Sequence, residues 1–220
     1  LEDGSAVIRF GRGPAMATSS QTRRLDRLMQ LEGVAAIRWC RQVHGSDLAT
    51  VATGDPPRPL CVGESDGLLT AATGVGLVVW TADCVPVVLV SDRAVAAVHA
   101  GWRGCAAGIA SAAVSRLQSV GATAPDEVRA YLGPAISAAH YQVGPEVIEA
   151  LAATGVPSSA WLDGDRVDLR SFLSSQLARL GVERVSTIGG CTFADPTLAS
   201  YRRDGDRAGR QWSLVSRRDV

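Results

Sequence analysis

The chain has 220 residues, 46% of them apolar, and its 22 Lys and Arg balance 22 Asp and Glu at a net charge of zero. This length and apolar content exclude a disordered chain and fit one domain, residues 1–220, with a substantial core. The balanced charge removes any general attraction to nucleic acid or to an anionic membrane, so neither is an expected partner.

Along the chain, the opening LEDGS is set aside as an appended stretch outside the fold. Val34 to Trp39 is a short β-prone run, and GDPPRP at 54–59 is a loop because consecutive prolines cannot continue a ladder. Leu77 to Trp80, Val87 to Val90 and Val95 to His99 are further β-prone runs. They lie in or just beyond the longest apolar stretch, residues 74–90, which Asp83 and Pro86 make unsuitable as a membrane helix. After GWRG the spacing predicts a helix with Ala106, Ala110, Ala113, Val114 and Leu117 on one face and Gly121 at its end. A second helix runs from about Gly144, with Pro145 in its first turn, to Gly155. A third starts at the N-cap Asp168, buries Leu169, Phe172, Leu173, Leu177 and Leu180, and stops at Gly181. Strands interleaved with helices, without repeats, indicate a mixed α/β or α+β domain. The five cysteines are odd in number and irregular in spacing, so no secreted disulfide framework is expected and a cytoplasmic location is.

Three stretches carry most of the chemistry: RQVHGSDL at 41–48, TADCVPVVL at 81–89 and AVHAGWRGC at 97–105. Each holds one good metal ligand, His44, Cys84 and His99. Two imidazoles and a thiolate are a zinc ligand set, and three protein ligands leave one position open for chemistry. The long gaps between them are unlike a local chelate, so the residues alone also permit a hydrogen-bonded His99 and a merely buried Cys84. A zinc held this way would lower the pKa of a bound water to about 7. Asp83 and Asp66 are candidate proton shuttles, or equally turn and capping carboxylates. Arg103 in GWRG, with the amides of the following helix, is a candidate phosphate site; the alternative is an arginine packed over Trp102. Arg202, Arg203, Arg207 and Arg210 read as a solvated basic face. His140 is a core or surface histidine, or a group placed behind the site, while Cys40, Cys61, Cys105 and Cys191 read as packing or incidental thiols. No HExxH and no HxE with PCxxC is present, which argues against a zincin protease and a cytidine-deaminase-type zinc site. Met16 and Met29 lie outside the three stretches and give no support to a blue-copper site with an axial methionine.

QVHG, TADCVP and VHAGWRG, in that order, followed by YLGPAISAAHYQVGPEV at 131–147 and CTFADPTLASYRRDGDRAGRQWSLV at 191–215, resemble the YfiH-like family, long called the polyphenol-oxidase or laccase-domain family. The similarity runs over roughly residues 34 to 215. It implies a layered α/β sandwich with helices outside the sheets, and a metal, zinc before copper, on His44, Cys84 and His99. It also implies an enzyme acting on purine nucleosides, namely adenosine, inosine and methylthioadenosine, by phosphorolysis and by adenosine deamination. Peptidoglycan-precursor amide hydrolysis and a copper-laccase activity also attach to the family. Residues 1–33 depart from the pattern: the usual Arg-Gly-Gly stretch is reduced to a fragment in which Arg12 stands in, which leaves a metal-binding protein of altered or lost activity as a further alternative.

Overall fold

The structure, a computed structural model, describes residues 1–11, 18–52 and 56–218; Arg12 and Met16 lie outside these, as do the first residues of the GDPPRP loop. Strands β1 (Glu2–Asp3), β2 (Ala6–Phe10), β3 (Ala36–Arg41), β5 (Leu60–Glu64), β7 (Val75–Thr81) and β14 (Gln211–Arg217) form one six-stranded sheet in the order β1-β2-β14-β7-β3-β5. Strands β4 (Leu48–Val51), β6 (Gly67–Thr70), β8 (Val85–Val90), β9 (Val95–Ala100), β10 (Arg129–Leu132) and β13 (Arg184–Thr187) form a second, in the order β13-β10-β8-β9-β6-β4. Both sheets mix parallel and antiparallel pairs. Strands β11 (Leu162–Asp163) and β12 (Arg166–Val167) make a separate hairpin.

The sheets pack face to face, and the period-two alternation of side chains explains why their central strands are apolar throughout. In β7, Leu77 and Val79 join Ile8 and Val215 against Val88, Val90, Val95 and Ala97 of the other sheet. The alternate residues Val78 and Trp80 face outward, where helix α1 (Thr18–Glu32) covers them with Leu25 and Leu28. In β8 and β9, Val87, Leu89, Ala96 and Val98 likewise face outward, beneath helices α3 (Ile109–Gly121), α4 (Pro145–Ala152) and α5 (Leu169–Arg179). The fold is therefore a mixed α+β sandwich with helices outside two sheets, in the layers α1, sheet, sheet, and α3 to α5. None of the described helices is long and apolar enough to cross a membrane.

Three local findings differ from the sequence reading. The opening residues belong to the fold: Glu2 and Asp3 form β1, and the Asp3 carboxylate pairs with Arg129 at 2.7 Å and accepts from Tyr131 Oη at 2.7 Å. The helix expected after GWRG is two, α2 (Trp102–Ala106) and α3, because Gly108 takes φ +81° and breaks the ladder between them. Helix α1 was not anticipated, although Leu25, Leu28 and Met29 carry its i, i+3, i+4 spacing. The PPRP segment is a loop, held to β3 by the buried Arg38, which donates to the carbonyls of Pro56 and Arg58.

Asp168 caps α5, its Oδ1 accepting from the amides of Arg170 at 2.9 Å and Ser171 at 3.0 Å. Asp168→Ala leaves both amides without that acceptor and should cost about 1 kcal/mol. Urea unfolding checks this, and a midpoint equal to that of the parent would show that the cap contributes nothing.

Candidate metal centre

The centre is assembled where three strands end at the same rim. Antiparallel pairing sets the start of β8 beside the end of β9, with Pro86 opposite His99, so Cys84, just before β8, meets His99 near the end of β9. Strand β6 pairs with β9 on its other side, and Asp66 immediately precedes it, its carbonyl accepting from the His99 amide at 2.7 Å. Beyond β3, the chain turns through Gln42 to Gly45. The Gln42 side chain acts like a further strand residue there, donating to the Trp80 carbonyl at 2.7 Å and accepting from the Trp80 amide at 2.8 Å.

Asp66 organises both histidines. Its buried carboxylate accepts the amides of Val43 (3.1 Å), His44 (2.9 Å) and Gly45 (2.7 Å), which holds His44 at φ +63°. A non-glycine residue in that region is strained by about 1–3 kcal/mol, and the three amide bonds hold it there. Asp66 Oδ1 also lies 2.8 Å from His99 Nδ1, which leaves the other ring nitrogen of His99 as its outward ligand atom. One ligand atom each from His44, Cys84 and His99 lies within 4.8 Å of the others, the one group of three His, Cys, Asp or Glu so disposed among the described residues. The two imidazoles stand edge to face with centroids 4.8 Å apart.

Gly101 makes the approach feasible. A Cβ there would lie 3.0 Å from Cys84 Sγ and 3.2 Å from His44 Cδ2, and one on Gly104 would lie 2.9 Å from the Gly45 carbonyl oxygen. The glycines of GWRG are thus required by close packing on the His44 turn.

The electrostatics suit a cation. Burial pushes the Cys84 thiol up, but hydrogen bonds from His44 and His99 outweigh it and bring the group down to about 6. Burial opposes protonation of His99, yet Asp66 and then Cys84 hold it up at about 9. Asp66 stays below the usual carboxylate range against its own burial because His99 and the amides of Gly45 and Val43 favour its anion. A thiolate and a carboxylate hold protons on the cluster that a divalent cation would displace. The donor set fits zinc. Met29, on α1, packs against the outer face of the first sheet rather than beside the ligands.

Asp83 sits next to Cys84 at φ +84°, with both oxygens engaged: Oδ1 accepts from Thr192 Oγ1 at 2.6 Å and Oδ2 from the Arg202 amide at 2.7 Å. This bonding fits the turn-bracing alternative for Asp83. The cluster opens on a cavity of about 630 Å³ whose walls include Trp39, Trp80, Trp102, Tyr141 and Tyr201. Arg103 stacks 4.2 Å over the Trp102 ring, as its packing alternative expects, and it also lines the cavity. Of the later arginines, Arg202 and Arg207 are exposed, as the solvated-face reading expects, while Arg203 and Arg210 are half-buried. Arg202 and Arg210 line the cavity, and Arg203 donates to the carbonyls of Thr192, Phe193, Asp195 and Leu198.

His140 stacks on Phe193 at 4.5 Å, with Nδ1 3.6 Å from Cys191 Sγ, outside the cavity lining. Cys191 Sγ accepts from the Ser137 amide at 3.3 Å. Burial raises its thiol, but bonds from Ser137 and from the amides of Ala194 and Phe193 hold it below its usual value. Cys40 and Cys105 are pushed up by burial and remain thiols.

The sequence profile of a family described as multi-copper polyphenol oxidoreductase laccase matches residues 15–218. The chain belongs to this YfiH-like, laccase-domain family. It is 41% identical, over 93% of its length and 81% of the relative's, to a purine nucleoside phosphorylase of Mycobacterium tuberculosis. It is 38% identical, over 80% of its length and 72% of the relative's, to the purine nucleoside phosphorylase YfiH of Escherichia coli. Among solved structures, YlmD of Geobacillus stearothermophilus superposes at a TM-score of 0.85 with 27% identity, covering 98% of this chain and 93% of that one. The YfiH protein of Bacillus licheniformis shares the fold at a TM-score of 0.87 and 22% identity, over 97% and 93% of the two chains.

Two outcomes follow for this family member. His44→Ala and Cys84→Ala should each lose bound metal by elemental analysis while the unfolding midpoint of Cys84→Ala stays near the parent's, since an open three-ligand site is separable from the core. Full metal content in both variants would sink the ligand assignment. Asp66→Asn should weaken metal binding about 10–100-fold, read by competition with a chromophoric chelator; an unchanged affinity would show that Asp66 does not act on the centre.

Proposed function

We propose that this chain is a zinc-dependent purine nucleoside phosphorylase that takes adenosine, inosine and methylthioadenosine and also deaminates adenosine. The observation that carries the reading is a three-ligand His-Cys-His cluster opening on a cavity walled by aromatic rings and lined by four arginines, of which Arg103, Arg202 and Arg210 have no carboxylate partner among the described residues. Aromatic walls suit a flat purine, and the guanidinium groups suit phosphate. The names of the relatives point the same way. A cytoplasmic location is part of this reading.

His44, Cys84 and His99 would hold the ion, and a zinc bound there supplies a Lewis acid at its open position. Asp66 fixes the ring of His99 and the turn that carries His44, and Asp83 braces the turn that carries Cys84. With their oxygens so engaged, both carboxylates serve as orienting groups rather than proton carriers. Tyr141 keeps its phenolic proton at neutral pH, because burial and then the neighbouring Cys84 charge push it up, so its Oη can donate a hydrogen bond to substrate. Arg103 gives phosphate one cationic contact. Helix α2 has five residues, and the contact rests on the guanidinium rather than on a helix terminus. In phosphorolysis a phosphate oxygen bonds to the ribose carbon as the glycosidic C–N bond breaks. The electron pair leaves with the purine, which takes up a proton. In deamination the nucleophile is water and its target is the adenine ring carbon that bears the amino group: the water oxygen bonds to that carbon, the carbon–nitrogen bond to the amino group breaks, and ammonia leaves with inosine as the product.

The zinc-loaded chain incubated with inosine should release hypoxanthine at a rate that rises and saturates with phosphate and disappears on chelation. Arg103→Ala should raise the phosphate requirement while sparing adenosine deamination. A rate indifferent to phosphate, or no release at full zinc occupancy, would overturn the phosphorylase reading, and stoichiometric copper in the isolated protein would overturn zinc.

A further inference from the structure

The cavity sorts charge in a way that the chain as a whole does not. Four arginines line it, Arg41, Arg103, Arg202 and Arg210, against one acidic residue, Asp83, in a protein whose 22 basic and 22 acidic residues balance. Arg41 is neutralised by Glu64 at 2.7 Å. Asp83 turns its oxygens to the Thr192 hydroxyl and the Arg202 amide. Among the described residues, Arg103, Arg202 and Arg210 form no ion pair with a carboxylate. Three guanidinium groups without counter-charge in one concave site raise its positive potential, which an anion relieves.

These three are not equally fixed. Arg103 rests on Trp102 with no side-chain hydrogen bond among the described residues, and Arg210 donates to the neighbouring carbonyls of Ala208 and Gly209. Arg202 is held from three directions. Its guanidinium lies 5.1 Å over the Tyr141 ring, its Nη1 donates to the Gln142 carbonyl at 2.8 Å, and its own amide donates to Asp83. Asp83 precedes Cys84, so that last bond sets the position of Arg202 directly against the turn of the metal centre. Among the described residues Nε and Nη2 have no protein acceptor, leaving donors available for the two-point grip that guanidinium makes on a phosphate.

We propose that Arg202 is the fixed phosphate-binding residue of this cavity, forming with Arg103 a subsite for a phosphate dianion, either inorganic phosphate or the phosphoryl group of a nucleotide. The choice of ligand rests on the nucleoside and phosphate reading above; the existence of an anion subsite does not. The Tyr141 ring lies against the guanidinium, so lysine would supply the charge without the planar fork.

Isothermal titration of the zinc-loaded protein with inorganic phosphate, AMP and adenosine tests this in the parent, Arg202→Gln, Arg202→Lys and Arg207→Gln, with zinc content measured for each. Loss of charge-assisted bonds of this kind should weaken phosphate binding about tenfold or more in Arg202→Gln. Adenosine binding should stay within about twofold, Arg202→Lys should recover only part of the loss, and the exposed Arg207→Gln should match the parent. A loss confined to AMP would assign the subsite to a nucleotide phosphoryl group and support it equally. Phosphate and AMP bound by Arg202→Gln as tightly as by the parent, or by neither protein, would overturn the proposal. Because titration reads binding without turnover, a protein that holds phosphate through Arg202 yet releases no hypoxanthine loses the phosphorylase reading and keeps the subsite.

Discussion

A single buried carboxylate, Asp66, sets the geometry of the functional end of this molecule. It takes three consecutive amides from the His44 turn and the Nδ1 of His99, so two ligands from distant parts of the chain are referred to one point. A buried anion without such donors would be expensive to keep charged, and with them it stays ionised. The arrangement works in both directions. The carboxylate needs the turn to remain charged, and the turn, with His44 in a left-handed conformation, needs the carboxylate to remain folded.

Asp83 repeats the device on the other side of the centre. It too occupies left-handed backbone, and its oxygens join the Cys84 turn to Thr192 and to the amide of Arg202. The ligands are thereby connected to the C-terminal segment that carries the aromatic and cationic wall of the cavity. Two left-handed residues, His44 and Asp83, at the candidate metal centre, each held by carboxylate hydrogen bonds, are consistent with a site held in shape before any ligand arrives. The rigid partners are strand ends, which position side chains more tightly than free loops do.

Much of the framework was legible along the chain because it is local. The β-prone runs at Leu77 to Trp80, Val87 to Val90 and Val95 to His99 lie within β7, β8 and β9. The Asp168 cap and the Gly144–Pro145 start mark α5 and α4, where short-range hydrogen bonding and fixed φ decide the outcome. Helix α1 was missed because its apolar spacing lies in a polar, arginine-rich stretch, and the break at Gly108 because glycine within a helical pattern is usually tolerated. The role of the opening residues depends on Arg129 and Tyr131, more than a hundred positions away, which no local pattern shows.

The sequence by itself determined the chemical vocabulary: which residues can ligate a metal, which glycines crowd them, and, through ordered motifs, which family they belong to. Tertiary structure decided the relations among them. The antiparallel pairing of β8 with β9 brings Cys84 to His99, Asp66 joins them to His44, and Asp83 holds the backbone of the exposed Arg202 where its side chain lines the cavity. Ligand identity is a property of single side chains and can be read in order along the chain. Their convergence depends on strand register and on buried hydrogen bonds between segments far apart in sequence, which exist only once the sheets have packed.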